Sequence, residues 1–90
     1  MPEQIEKLKS TLRELEAELA SIDTLDEETR AALEEAVEEI SQRLRKRDYA
    51  PQPDSLAARL QDAAGEFETS HPTLFGIVRR TIDALGQMGI

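Results

Sequence analysis

A chain of 90 residues forms at most one domain, and folding hides only roughly 60 to 65 % of the surface that an unfolded chain of this size exposes. It has no cysteine, which excludes disulfides and thiolate zinc sites, and 19 acidic against 11 basic side chains give a net charge of −8. That charge opposes binding to nucleic acid phosphates and anionic lipid, and the small core makes self-association the expected source of further stability.

The first predicted helix covers about residues 3–21. Its apolar side chains recur at spacings of three and four residues, the pattern of a and d positions in a coiled coil. They are Ile5, Leu8, Leu12, Leu15, Leu19 and Ile22. Because this seam spans fewer than about three heptads, it fits a pair of packed helices as well as a free coiled coil.

The second predicted helix covers about residues 25–47. Thr24 and Glu27 have the spacing of a capping box and mark its start. Its apolar positions keep the spacing of the first helix, and Ala32 and Ala36 leave room for the close approach of a neighbour. The short connection between the two helices predicts an antiparallel hairpin.

Two prolines, Pro51 and Pro53, define an extended linker at residues 48–54. A third helix is predicted over about residues 55–69, with Phe67 among its apolar positions. Pro72 interrupts it and suits the first position of a fourth helix, with Ser70 or His71 as its cap.

The fourth predicted helix, about residues 72–87, has an apolar arc of about 160°, which is wider than one neighbouring helix covers. We therefore expect it to contact at least two helices, within the chain or across a subunit interface. This arc and the apolar tail behind it are the candidate interaction surface. Its residues are Leu74, Phe75, Ile77, Val78, Ile82, Leu85, Met88 and Ile90.

A basic cluster closes the second helix and favours an alternative function. Arg43, Arg45, Lys46 and Arg47 complement the negative end of the helix dipole, and they are also the pattern sought in proteins that bind nucleic acid. The acidity of residues 1–40, which hold thirteen acidic and four basic side chains, argues against general phosphate binding. A small nucleic-acid-associated regulator thus stays an alternative, although nucleic acid is not the expected partner.

The sequence gives little support for a metal-binding site or for catalysis. Glu68 and His71 have the Glu-x-x-His spacing of carboxylate-bridged metal bundles, which makes a metal-binding bundle the second alternative, but Pro72 breaks the helix that such a site needs. The row Glu34, Glu35, Glu38 and Glu39 is typical of a solvated helix face. With one histidine and no phosphate-binding loop, we expect no enzyme, no cofactor and no resident metal.

Five short strings along nearly the whole chain carry a resemblance to a known family. They are LREL at 12–15, IDTLD at 22–26, SHPTL at 70–74, IDAL at 82–85 and MGI at 88–90. With them the chain resembles the small bacterial proteins of domain-of-unknown-function family 4404, and the C-terminal strings are the more specific ones. The resemblance implies a bacterial origin and supplies no catalytic residues.

The sequence thus predicts an all-α protein: an antiparallel helical hairpin, then a second, shorter hairpin packed on it or exchanged with a second subunit. No apolar run approaches the roughly 20 residues that span a bilayer, and no signal-like segment opens the sequence, so a cytoplasmic location is expected. The leading function is a non-catalytic protein-interaction or self-association module. Its expected partners are a second copy, in a homodimer, and another protein.

Overall fold

Four α-helices make up the part of the chain that the computed structural model describes, residues 3–47 and 56–88. They are α1 (Glu3–Ser21), α2 (Glu27–Lys46), α3 (Leu56–Ala64) and α4 (Pro72–Met88). No β-strand occurs in those two ranges, so the all-α prediction is confirmed. The linker predicted at residues 48–54 and the tail residue Ile90 lie outside the described residues.

The apolar seam of α1 faces the core. Its central leucines are at most 4 % exposed, whereas Ile5 and Ile22, at the two ends of the seam, are partly buried. No basic side chain occurs in the last turn of α1. Instead Arg30 of α2 reaches back, donating a 2.6 Å hydrogen bond to the carbonyl of Leu19 and a second one to the carbonyl of Ile22. A guanidinium from the next helix thereby satisfies carbonyls that the end of α1 leaves without an intrahelical donor.

The start of α2 differs from the predicted capping box. Its N-cap is Asp26, with φ −56° and ψ 137°, and the carboxylate accepts a hydrogen bond from the amide of Thr29. Thr24 lies in the preceding bend, where its hydroxyl shares a 3.0 Å hydrogen bond with Nε2 of His71. The helix begins two residues after the predicted start because a tertiary contact engages the threonine and leaves the aspartate to cap.

α3 is shorter than the predicted helix over 55–69, because its regular hydrogen bonding ends at Ala64 and residues 65–70 form turns. The amides of Glu66 and Phe67 bond to carbonyls three residues earlier, which tightens the chain after Gly65. Phe67 nevertheless remains buried at 1 % exposure. The periodic spacing correctly marked a core residue but overestimated the length of the helix that carries it.

The four helices form a ring of neighbours around one core: α1 packs on α2 and α4, and α3 packs on the same two helices. α4 therefore contacts two helices of its own chain. Glu14 of α1 pairs with Arg80 of α4, and Thr24, beyond the end of α1, contacts His71, just before the start of α4. These two contacts show that α1 and α4 run in opposite directions.

Candidate functional site

The apolar arc of α4 divides into a covered part and an incompletely covered part. Leu74, Ile77, Val78 and Leu85 are at most 6 % exposed and belong to the core of the single chain. Three further predicted residues, Phe75, Ile82 and Met88, pack against that core and are only partly buried. Most of the interaction surface predicted on α4 is therefore covered within the single chain, and only residues at its margin remain partly exposed.

Phe75 and Ile82 form what we call the α4 edge. They lie seven residues apart, hence on one side of the helix, and both are about 140° to 160° around the axis from Arg80. Because Arg80 pairs with Glu14 of α1, the α4 edge lies on the side of α4 that is turned away from α1. Two large apolar side chains thus remain partly exposed to solvent at the outer margin of the bundle.

The contact between Glu14 and Arg80 is bidentate, with distances of 2.9 and 3.2 Å. The hydrogen bond from Arg80 lowers the pKa of the Glu14 carboxyl below its ordinary value, and the same contact raises the pKa of the guanidinium. Both side chains are about half exposed, at 47 and 54 %, so solvent screens the pair. The pair therefore contributes little to the stability of the fold.

The basic cluster is split between the interior and the surface. Arg43 is 6 % exposed, whereas Arg45, Lys46 and Arg47 are exposed at the end of α2. Arg45 lies 3.8 Å from Glu38, a loose pair in which both side chains are about two thirds exposed. Arg47 adopts the left-handed conformation, φ 55°, and closes the helix as its C-cap. Three cations, and not four, therefore face solvent.

A cleft between α2 and α3, which the sequence did not predict, has a volume of about 770 Å³. Small and apolar side chains line it, among them Ala32, Ala36 and Ala63, with Phe67 beneath. Its rim carries five carboxylates: Asp26, Glu28, Glu35, Asp62 and Glu66. We refer to this feature as the α2–α3 cleft.

Most of the negative charge on the cleft rim is not neutralised by neighbouring side chains. Within the described ranges, no ion pair or side-chain hydrogen bond involves Glu28, Glu35, Asp62 or Glu66. The one arginine on the rim, Arg59, is paired with Glu39. The cleft thus combines a floor of small residues with an uncompensated acidic rim.

A family model of the domain of unknown function DUF4404 matches residues 8–90. The chain belongs to the DUF4404 family. No curated protein and no solved structure matches the chain. The match confirms the resemblance inferred from the short strings, and it covers α1 from Leu8 onward and all of α2, α3 and α4.

In this DUF4404 protein, His71 links the connection between α3 and α4 to the connection between α1 and α2. Its Nδ1 contacts the hydroxyl of Ser70 and its Nε2 contacts that of Thr24, each at 3.0 Å, and its carbonyl accepts the amide of Phe75 at 2.9 Å. The carbonyl closes the first turn of α4, as the N-cap position does, and the ring ties that turn to the connection between α1 and α2. Both ring nitrogens are engaged in structural contacts.

The geometry that the metal alternative needs is not formed around His71. Glu68 lies in the turn that follows α3 and is exposed, so Glu68 and His71 do not project from one unbroken helix. Among the described residues no three histidine or carboxylate side chains converge as a metal-binding group. None of the DUF4404 helices in the described ranges is long and apolar enough to cross a membrane.

Proposed function

We propose that this DUF4404 chain is a non-catalytic protein-interaction module that forms a homodimer through the α4 edge. The observation that carries the proposal is that Phe75 and Ile82 are apolar, lie on one side of α4 and are incompletely covered by the chain's own helices. A second copy would bury both side chains again across a twofold axis, because a twofold interface brings the same surface of each copy together.

The size of the chain supports this proposal. A 90-residue chain without disulfides gains most when it buries further apolar surface in an oligomer. In the proposed dimer, α1 with α2 and α3 with α4 form antiparallel hairpins within each subunit. We further propose that the dimer acts in the bacterial cytoplasm, where small domains do not rely on the disulfides that secreted domains of this size use.

The test is the solution mass by light scattering over a concentration series, for the wild type, Ile82→Asp and the control Gln87→Asp. The control places the same charge on an exposed position of α4 at the opposite side of the helix. We expect twice the 10.1 kDa chain mass for the wild type and the control, and the single-chain mass for Ile82→Asp with an unchanged helical spectrum. A wild type that remains a monomer at millimolar concentration contradicts the proposal.

The exposed cations at the end of α2 favour a second candidate function, nucleic acid binding by a dimer that presents two such clusters. Arg45, Lys46 and Arg47 all face solvent, and the only neighbouring acid paired with them in the described ranges is Glu38. This candidate predicts retardation of DNA or RNA in low salt that is lost in Arg45→Glu. Unretarded nucleic acid at low salt would reject it.

A further inference from the structure

We propose that the α2–α3 cleft binds a basic amphipathic helix of a partner protein. The proposal concerns a different surface from the α4 edge and does not require the dimer. Its starting point is the combination, in one open cleft, of a floor of small apolar residues and a rim of carboxylates that the described chain leaves without cationic partners.

The floor of the cleft suits a helix. Ala32 and Ala36 lie one turn apart on α2, and Ala63 faces them from α3, so none of the three keeps a neighbouring backbone at a distance. Helices pack at axis separations of about 8 to 10 Å, and small residues at the contact permit the shorter values. An incoming helix would lie in the groove between α2 and α3 as a third neighbour to both.

The dimensions of the cleft agree with about two helical turns. On α2 the lining runs from Glu28 to Ala36, which is about 12 Å at a rise of about 1.5 Å per residue. The cleft, at about 770 Å³, far exceeds what a single ammonium group fills.

The charge of the rim selects the partner. Glu28 and Glu35 border the groove on α2, while Asp62 and Glu66 border it on α3 and the turn behind it. All four are exposed, so lysine or arginine side chains on both flanks of a helix would reach them without the cost of burying an ion. The same carboxylates would repel an acidic helix or a nucleic acid.

The direct probe is a fluorescently labelled helical peptide of about 16 residues, with leucine and alanine on one face and lysine on the other, followed by anisotropy. A peptide of identical composition but scrambled order lacks the apolar face and serves as the peptide control. We expect the amphipathic peptide to bind the full chain and the affinity to fall as salt is added, because exposed charges are screened. Binding of the scrambled peptide or of spermine with equal affinity would overturn the proposed helix recognition.

Matched protein variants separate the cleft from the overall negative charge. The cleft variant combines Glu35→Gln, Asp62→Asn and Glu66→Gln. The control variant combines Glu16→Gln, Glu34→Gln and Glu68→Gln, which removes the same charge from exposed positions outside the cleft. We expect the dissociation constant to rise at least about tenfold in the cleft variant and less than about threefold in the control. Equal losses in both variants would overturn the proposal.

A third variant, Ala32→Leu, fills the groove without changing any charge, and it should also weaken peptide binding if the helix lies on the floor. Unaltered binding by Ala32→Leu would overturn the placement. The Ile82→Asp protein should bind the peptide as the wild type does, because the α4 edge is on another surface. A failed dimer test with successful peptide binding, or the reverse, thus distinguishes the two proposals.

Discussion

Truncating Leu85 tests whether the centre of the α4 arc is core or interface. Leu85 is fully buried within one chain, at 0 % exposure, whereas Ile82 on the α4 edge is only partly buried. Replacing a fully buried leucine with alanine costs about 3 to 5 kcal/mol, since apolar transfer and a residual cavity both contribute. A domain of this length has a free energy of unfolding of about 5 to 13 kcal/mol, so Leu85→Ala should still fold but with a large share of its stability lost.

The assay is urea unfolding followed by circular dichroism at two protein concentrations, with light scattering on the same samples. Leu85→Ala should lower the free energy of unfolding by about 3 to 5 kcal/mol, by the same amount at both concentrations. Ile82→Ala should cost only about 1 kcal/mol within the chain and should act mainly on the mass. A Leu85→Ala protein that loses its dimer yet unfolds as a monomer with unchanged free energy would refute the assignment of Leu85 to the core.

Three polar contacts yield further predictions. Arg30→Met should lower the free energy of unfolding by about 1.5 to 3 kcal/mol in urea unfolding, because it removes the charged donor to the carbonyls of Leu19 and Ile22 at the end of α1. A variant as stable as the wild type would show that these hydrogen bonds do not stabilise the fold. In the same assay, Asp26→Ala should lower the free energy of unfolding by about 1 kcal/mol, because the aspartate caps α2, and Thr24→Ala should lower it less. A larger loss in Thr24→Ala than in Asp26→Ala would support the predicted capping box instead. Arg80→Gln should raise the pKa of Glu14 toward its ordinary value in an NMR titration of the carboxyl, and an unmoved titration would contradict the pairing.

The sign of the Glu14 effect fixes its pH window. Arg80 lowers the pKa of Glu14 in the folded chain, so the contribution of the pair to stability is present above the ordinary glutamate pKa. It is lost as the pH falls through the lowered value, when the carboxyl takes up a proton. The difference in stability between the wild type and Arg80→Gln should therefore shrink in acid. Because both side chains are about half exposed to solvent, that difference should be small at every pH.

Periodicity predicted which side chains are buried better than it predicted where the helices end. The central leucines of α1 and Phe67, just beyond α3, were placed on apolar faces, and all are at most 4 % exposed. The predicted capping box at Thr24 and the predicted extension of the third helix to residue 69 were wrong. Burial follows from a repeat that recurs over many residues, whereas an end depends on single hydrogen bonds with alternatives a few residues away.

The candidate sites were harder to predict because a helical wheel shows an apolar face but not what covers it. Leu74 and Ile82 belong to the same arc, yet only the positions of α1 and α3 decide that the first is core and the second lies at a margin. One feature of the sequence pointed to the α2–α3 cleft, namely the two alanines, Ala32 and Ala36, among glutamates of the second helix. Its other wall comes from α3, whose placement on α2 could not be read from local spacing.

The sequence alone determined the all-α class, the approximate helices and the apolar faces, because each depends on residues within a few turns of one another. It also determined membership of the family, since short strings are local too. Only the tertiary structure decided that Arg30 caps another helix, that His71 joins two connections and that α2 and α3 enclose an acidic cleft. Those features join residues distant in the chain, and their geometry exists only after the four helices have packed together.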